Sequence, residues 1–205
     1  MHSLVSPGGN ARRILATLGV LGAIGALATV GTYSLFTDSV AAGPQTIASG
    51  TVDIALGSVN RLTVGASNVA PGDTIQRAVD ITNGGSIDFA AVALTTSAST
   101  SSLLDTDTTN GLQMVVDKCS APWTETPVGA GFTYTCGGTT SALIASRPVI
   151  GSALPLGALA SLTSGGIDHL RVTLTLPTGA DNTFQGRSST IAYTFNATQR
   201  AATAK

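Results

Sequence analysis

Side chains that could carry out acid–base or metal chemistry are few in this 205-residue chain. His169 is the one histidine after residue 2, and no HExxH or comparable sequence gives the ligand spacing of a catalytic zinc site. A Ser-His-Asp triad would have to combine His169 with one of many serines, and no GxSxG sequence marks a nucleophile. His169 also shares the polar side of an alternating run with Arg171, where a lone histidine is usually a surface residue. The sequence therefore predicts no catalytic residue and no metal site.

The acidic run DTDTTNG, from Asp105 to Gly111, is the second candidate for chemistry, because carboxylate and amide oxygens bind calcium. The order of an EF-hand loop is broken, since Thr109 stands where the third acidic or amide ligand belongs. Val116 occupies the twelfth position, where a glutamate would close the loop. Solvated turn residues are therefore the favoured interpretation, and no cofactor is expected.

The two cysteines, Cys119 and Cys136, flank a segment that contains prolines, glycines and a tryptophan. An even pair in a secreted protein is most simply one disulfide that closes a hairpin-like loop. Closing a loop of this length stabilises the fold by about 3 kcal/mol through the unfolded state. A redox or metal role would need a closer pair or further ligands, and the sequence supplies neither.

The first fifty residues begin with the order of an export signal. A basic pair, Arg12 and Arg13, precedes an uncharged run from Ile14 to Leu35 that is rich in glycine and alanine. This run is also long enough to span a bilayer if it is retained as an anchor. The arginine pair loosely fits a Tat signal as well, although any signal peptide carries basic residues at its start.

Small residues at the end of this run indicate where the signal would be cleaved. Thr32 and Ser34 have the small-x-small spacing that signal peptidase requires, so cleavage is expected between Ser34 and Leu35. Residues 1–34 would then be a signal peptide, and the chain would meet the membrane only through this segment. We therefore expect a secreted protein of the extracellular matrix or cell surface.

The composition after such cleavage excludes one class of partner. Loss of two arginines leaves eight basic against eleven acidic residues, a net charge of -3, which does not suit a nucleic-acid backbone. Charged residues make up only 10% of the chain, while Ser, Thr, Gly and Ala are abundant. Such a neutral, hydroxyl-rich surface is typical of an exported wall or matrix protein.

Short runs of alternating apolar residues between Gly, Pro, Asn and Asp clusters predict an all-β fold. We expect a single jelly-roll-like β-sandwich over residues 50–199, followed by a C-terminal tail over 200–205. The rows predicted to face the core are Val52, Ile54 and Leu56; Ile75, Val79 and Ile81; Leu170, Val172, Leu174 and Leu176; and Ile191, Tyr193, Phe195 and Ala197.

Four local features add detail to this prediction. Arg77 falls in an apolar row, so it must lie near a sheet edge or the register must shift there. The sequence Asn83-Gly84-Gly85 predicts a tight hairpin. The apolar residues of Ser86–Thr95 switch phase, which indicates a bulge. One short helix is predicted over Pro155–Leu162.

Four ordered stretches resemble the TasA/camelysin family of secreted bacterial proteins, which are processed by a dedicated type of signal peptidase. These stretches are GTYSLFTD at the leader junction, then IASGTVDIAL, VAPGDTIQRAVDITNGGS and NTFQGRSSTIAYTFNATQ. The middle of the chain, with Cys119 and Cys136, departs from the founding members and resembles a lineage-specific insertion.

The resemblance implies a jelly-roll subunit of an extracellular biofilm-matrix fibre that assembles head to tail by donor-strand complementation. Residues 35–49 would be the donor segment, which has no evident partner within its own chain and would complete a sheet of the next subunit. The partners implied are further copies of the chain, a signal peptidase and an accessory or anchoring matrix protein. The interface residues expected in the donor strand are Leu35, Phe36, Thr37, Asp38, Ser39 and Val40.

Two other functions are kept as alternatives. The family name carries a metalloprotease label, which would make the chain a secreted zinc metalloendopeptidase. Because no zinc-ligand motif is present, we do not expect an enzyme. A retained leader would instead give a membrane-tethered surface adhesion module.

Overall fold

Alternating apolar and polar residues favour strands in this chain, and the described strands make two antiparallel sheets and one separate hairpin. The computed structural model describes residues 37–40, 52–62, 69–129 and 131–202. The described strands are β1 (Thr37–Val40), β2 (Ile54–Asn60), β3 (Thr74–Asn83), β4 (Phe89–Thr100), β5 (Gln113–Cys119), β6 (Trp123–Val128), β7 (Gly131–Cys136), β8 (Thr140–Pro148), β9 (Gly151–Leu156), β10 (Ile167–Thr175) and β11 (Thr190–Gln199). The described helical elements are α1 (Leu103–Thr106) and two 3-10 turns, Ala160–Leu162 and Asn182–Phe184.

The strand order is that of a jelly roll. The first sheet has the order β1-β11-β4-β9, and the second has the order β2-β3-β10-β5-β8. The chain crosses from one sheet to the other between β3 and β4, between β4 and β5, and at each step from β8 to β11. β2 is an extra edge strand of the second sheet, and the β6–β7 hairpin is inserted between β5 and β8. The predicted all-β sandwich is confirmed.

The core lies between the two sheets, where the predicted apolar rows meet. The residues that alternate with each row lie on the opposite face of their sheet, as the period of two requires. The side chains from these rows that are most completely buried are Ile54, Val79, Ile81, Leu170, Val172, Phe195 and Ala197.

The tight hairpin predicted at Asn83-Gly84-Gly85 is wrong, because β3 and β4 belong to different sheets. Asn83 is buried and shapes the connection with both ends of its amide. Its Oδ1 accepts a hydrogen bond from the Gly85 N–H (3.0 Å), and its Nδ2 donates to the Ile87 carbonyl (3.1 Å). The turn-forming residues therefore redirect the chain between sheets.

The helix predicted over Pro155–Leu162 is also wrong except for its last turn. β9 continues through Leu156, and only Ala160–Leu162 is helical. The buried carboxylate of Asp168 holds that turn, because it accepts hydrogen bonds from the N–H groups of Ser161 (2.7 Å) and the residue before it (3.0 Å).

The bulge predicted within Ser86–Thr95 is confirmed. Gln199 pairs with Phe89, but the preceding residue of β11 pairs with Ala91, so Ala90 is the extra residue. The bulge explains the phase switch, since Phe89 and Val92 can then both face the core.

The predicted signal peptide, its cleavage residues Thr32, Ser34 and Leu35, and Phe36 of the donor segment lie outside the described residues. Among the residues that the structure describes, no helix is long and apolar enough to cross a membrane.

Candidate subunit interface

The described part of the predicted donor segment is an edge strand of the first sheet. Thr37–Val40 pairs antiparallel with β11, with Thr37 opposite Thr198 and Val40 opposite Phe195. The expectation that this segment has no partner within its own chain is therefore wrong for these four residues. The physical reason is that β11 would otherwise present a row of unpaired N–H and C=O groups at the edge of the sheet.

β1 covers only half of the β11 edge in the part of the chain that the structure describes. The pairing ends with Val40 opposite Phe195, and residues 190–194 continue beyond it. On its other side β11 is paired with β4 along its whole length, from Thr190 to Gln199. The first half of β11 therefore borders the space beside the sandwich.

That space is a groove of about 1060 Å³ between the edges of the two sheets. The residues 190–194 form one side, and the second sheet forms the other. A groove beside a strand edge offers side-chain burial and main-chain hydrogen bonding at the same place. The apolar side chains that line it include Leu56, Ile75, Leu174, Leu176, Ile191 and Tyr193.

A hydrogen-bonded carboxylate ties one wall of the groove to α1. Asp105 accepts hydrogen bonds from the hydroxyl of Ser189, which lines the groove, at 2.5 Å. It also accepts from the Ser102 N–H and the Ser101 hydroxyl, both at 2.7 Å. Burial alone would raise the pKa of Asp105, but these hydrogen bonds outweigh it and hold the pKa below its ordinary value.

Asp105 belongs to the run that was considered for calcium binding. The run does form a turn, but Asp105 is buried rather than solvated. Asp107 is half-buried, and its Oδ1 accepts hydrogen bonds from the N–H groups of Asn110 (2.9 Å) and Thr109 (2.8 Å) in the same loop. These bonds lower the pKa of Asp107. Both carboxylates thus hold the fold of their own segment together.

Arg77 is a buried cation in the lining of the groove. Its position in an apolar row predicted that it lies near a sheet edge or a register shift, and both are present. The β2–β3 register shifts before Asn60, which pairs with Val79, and β2 ends there. Arg77 therefore lies just past the end of β2. Its Nη1 donates to the Gln76 carbonyl at 2.7 Å, and its guanidinium carbon lies 5.9 Å from the ring centre of Phe132.

The predicted disulfide between Cys119 and Cys136 is present, with 5.7 Å between the two Cα atoms. It closes the β6–β7 hairpin at its base, and the hairpin packs on the outer face of the second sheet. There Trp123 and Tyr134 form a small second core with Ala78 and Cys119. Ala78 is buried between two buried neighbours because both faces of β3 are covered at this point.

Polar contacts fasten the hairpin to the end of β2. Arg61 donates to both carboxylate oxygens of Glu125, from Nε at 2.9 Å and from Nη2 at 3.0 Å. The Tyr134 hydroxyl donates to the same carboxylate at 2.7 Å. The hydrogen bonds from Arg61 and Tyr134 lower the pKa of Glu125. Burial, followed by the bond to Glu125, raises the pKa of Tyr134 to about 12.

His169, the candidate for acid–base chemistry, is half-buried and paired with Asp80. Its Nδ1 lies 2.7 Å from the Asp80 Oδ1, and its backbone carbonyl accepts a hydrogen bond from the Trp123 indole at 3.0 Å. Sequence reasoning missed this pair, because only the register of β3 and β10 brings His169 opposite Asp80.

The model of the camelysin metallo-endopeptidase family matches residues 13–118, just over half of the chain. The chain belongs to the camelysin family. The resemblance stated from the sequence motifs is thereby confirmed, and TasA is a member of the same family. Comparison with curated proteins gives no match.

The match to the camelysin family ends one residue before Cys119. The disulfide, the β6–β7 hairpin and β8–β11 thus lie beyond it. The family description names a metallo-endopeptidase, yet among the described residues no three His, Cys, Asp or Glu side chains converge on a possible metal position.

Proposed function

We propose that this camelysin-family chain is an exported structural subunit that polymerises into extracellular fibres through its N-terminal segment. The pairing of Thr37–Val40 with the edge of β11 carries this proposal. A strand that already binds this edge within one chain has the backbone geometry to bind the same edge of another copy. The open groove next to it gives a second copy additional apolar surface to cover.

Exchange of this strand between copies needs little disruption of the fold. β1 has four residues at the edge of its sheet, so its release breaks few hydrogen bonds and leaves the other three strands of that sheet paired. Donation by each subunit to the next is a head-to-tail contact, which does not close on itself and therefore generates a filament. Leu35 and Phe36 extend the donor with two more apolar residues.

Processing and location follow from the same proposal. A signal peptidase that cleaves before Leu35 would free the donor segment only after export, which keeps subunits from assembling inside the cell. The Cys119–Cys136 disulfide is compatible with an oxidising extracellular compartment. An accessory or anchoring protein would attach the fibre to the cell surface. Nucleic acid is not a partner in this proposal.

The proposal is tested by comparing two deletions of equal size. The chain of residues 35–205 should form filaments visible by negative-stain electron microscopy, and deletion of residues 35–40 should leave monomers in analytical ultracentrifugation. Deletion of residues 200–205, also six residues, is the matched control and should leave the filaments intact. Filaments of unchanged appearance from the chain without residues 35–40 would refute the proposal.

The family description supports a second candidate, a secreted zinc metalloendopeptidase. It predicts that pure protein cleaves casein, that a chelator stops the cleavage, and that His169→Ala abolishes it. A third candidate, the membrane-tethered adhesion module, predicts that residues 1–34 remain attached to the exported protein. N-terminal sequencing of that protein separates it from the other two.

A further inference from the structure

We propose that Lys118 and Asp168 condense to an intramolecular amide, which makes this pair a self-modification site of the folded chain. The Lys118 Nζ lies 3.8 Å from the Asp168 Oδ1, and the Asp168 side chain is only 3% exposed. A fold that holds an amine against a carboxyl group and excludes water favours condensation, because the product carries no charge. The amide would cross-link two strands of one subunit, so the inference goes beyond fibre assembly and does not depend on it.

Two neighbouring strands of the second sheet bring the pair together. Lys118 is opposite Leu170 in the β5–β10 register, and Asp168 is two residues from Leu170 on the same strand. The two side chains are therefore diagonal neighbours on one face, a distance that a long side chain can cross. That face is the inner one, because Asp168 continues the buried row of Leu170 and Val172.

The residue type at position 118 suits this chemistry. Lys118 is the only lysine ahead of the last residue, Lys205, and the remaining basic residues are all arginines. Arginine keeps its proton, whereas lysine can lose one and act as a nucleophile. The Lys118 side chain is 22% exposed, and its Nζ donates a hydrogen bond to the Ala158 carbonyl. The one lysine of the sandwich is thus directed at a buried carboxyl group.

The 3-10 turn at Ala160–Leu162 prepares the carboxyl group of Asp168 for attack. The Ala160 N–H donates to Oδ1 at 3.0 Å, and the Ser161 N–H donates to Oδ2 at 2.7 Å. Backbone donors in this arrangement stabilise the negative charge that develops on oxygen when a nucleophile adds to the carbon. The buried Ser161 Oγ has no hydrogen-bond partner among the described residues, so the same turn holds a further hydroxyl that its fold does not use.

The condensation needs no reactant beyond the two side chains. A proton passes from the Lys118 ammonium to the Asp168 carboxylate, because burial favours the neutral pair over the charged one. The Nζ lone pair then attacks Cγ, and the bond between Cγ and Oδ1 breaks. Oδ1 leaves as water with one proton from the carboxyl group and one from the amine. The amide keeps Oδ2 as acceptor for the Ser161 N–H and retains one N–H for the Ala158 carbonyl.

Peptide mapping of the exported protein tests the amide. The protein is denatured, reduced, alkylated and digested with trypsin, which cleaves after Lys118 only if its amine is free and does not cleave before Pro148. A linked chain should give one peptide of residues 78–171, with a mass one water molecule below that of its alkylated sequence. An unlinked chain gives separate peptides, 78–118 and 119–171, both of full mass, and this result from folded wild-type protein would overturn the inference.

Lys118→Arg is the matched control, because it keeps the cation beside Asp168 but cannot form the amide. This variant should be cleaved after position 118 and should show no loss of water. Loss of water from peptide 119–171 of the variant would place the dehydration elsewhere and overturn the inference. Filament assembly is measured separately on both proteins: linked wild-type chains that stay monomeric would contradict the proposed function and leave the amide standing.

Discussion

The guanidinium of Arg171 lies over the ring of Trp123, 4.4 Å from its centre. The same side chain donates from Nη2 to Asp117 at 2.7 Å and from Nη1 to the Tyr134 carbonyl at 3.3 Å. Arg171 thus joins the second sheet to both strands of the disulfide-closed hairpin. The hairpin is a fixed part of the fold, and its stability can be measured through these contacts.

Replacement of Arg171 by alanine should lower the free energy of unfolding by about 3 kcal/mol, because the Asp117 carboxylate then stays partly buried without its cation. Urea titration followed by fluorescence measures the loss directly, since Trp123 is the only tryptophan in the chain. Arg187→Ala, at an exposed arginine, is the control and should change the free energy by less than about 0.5 kcal/mol. Equal losses in the two variants would show that Arg171 does not fasten the hairpin.

Removal of the disulfide should destabilise the protein through the unfolded state. The double substitution Cys119→Ala with Cys136→Ala opens a loop with a sequence separation of 17 and should lower the free energy of unfolding by about 3 kcal/mol. Reduced wild-type protein should unfold at nearly the same urea concentration as the double variant. An unchanged urea midpoint in both samples would mean that the hairpin contacts, rather than the disulfide, set the stability.

Asp105 should make the fold less stable in acid. Its pKa in the folded protein is below the ordinary value of 3.8, so the unfolded chain binds the proton first as the pH falls. The stability that the carboxylate contributes is complete well above pH 3.8 and is lost as the pH falls through the folded pKa. Asp105→Asn should therefore be less stable than wild type at pH 7, and the difference should shrink below about pH 4.

Urea midpoints of wild type and Asp105→Asn between pH 7 and pH 2.5 measure this difference. Ser189→Ala, which removes one donor to the same carboxylate, should give a smaller difference with the same pH dependence. A difference that stays constant or grows in acid would contradict the role given to the Asp105 carboxylate.

Tyr134 should make the fold less stable in alkali. Its pKa is raised from 10.0 to about 12, first by burial and then by the hydrogen bond to Glu125. The folded protein therefore holds the proton more tightly, and the stability gained is complete below pH 10 and lost as the pH rises towards 12. Tyr134→Phe should be less stable than wild type at pH 8, with a gap that narrows between pH 10 and pH 12. A gap that widens over this range would contradict the assignment.

The sequence predicted what depends on local pattern and missed what depends on distant pairing. The alternation of Leu170, Val172 and Leu174 identified a buried row because one strand carries the whole signal. The turn at Asn83 was recognised by its residue types, but those types do not say which sheet receives the next strand. The ion pairs on the outer face of the second sheet join residues far apart in the chain. Arg61 and Glu125 are 64 positions apart, and Asp80 and His169 are 89 positions apart.

The edge strand shows the same limit most clearly. The resemblance to the family, together with the apolar residues around Leu35, predicted that this segment pairs with a sheet edge of another copy. The partner edge, at Phe195 to Thr198 of β11, follows only from the complete sandwich, because β11 reaches the outside of its sheet through the jelly-roll order.

The most direct test of strand donation is to lock β1 onto its own subunit. Ser39 and Asn196 are opposite each other, so Ser39→Cys with Asn196→Cys can form a disulfide within one chain. Strand donation predicts that the oxidised double variant stays monomeric in analytical ultracentrifugation and that mild reduction releases it to form filaments. Wild-type protein under the same reductant controls for loss of the Cys119–Cys136 bond. Filaments formed by the locked chain as readily as by the reduced chain would contradict strand donation.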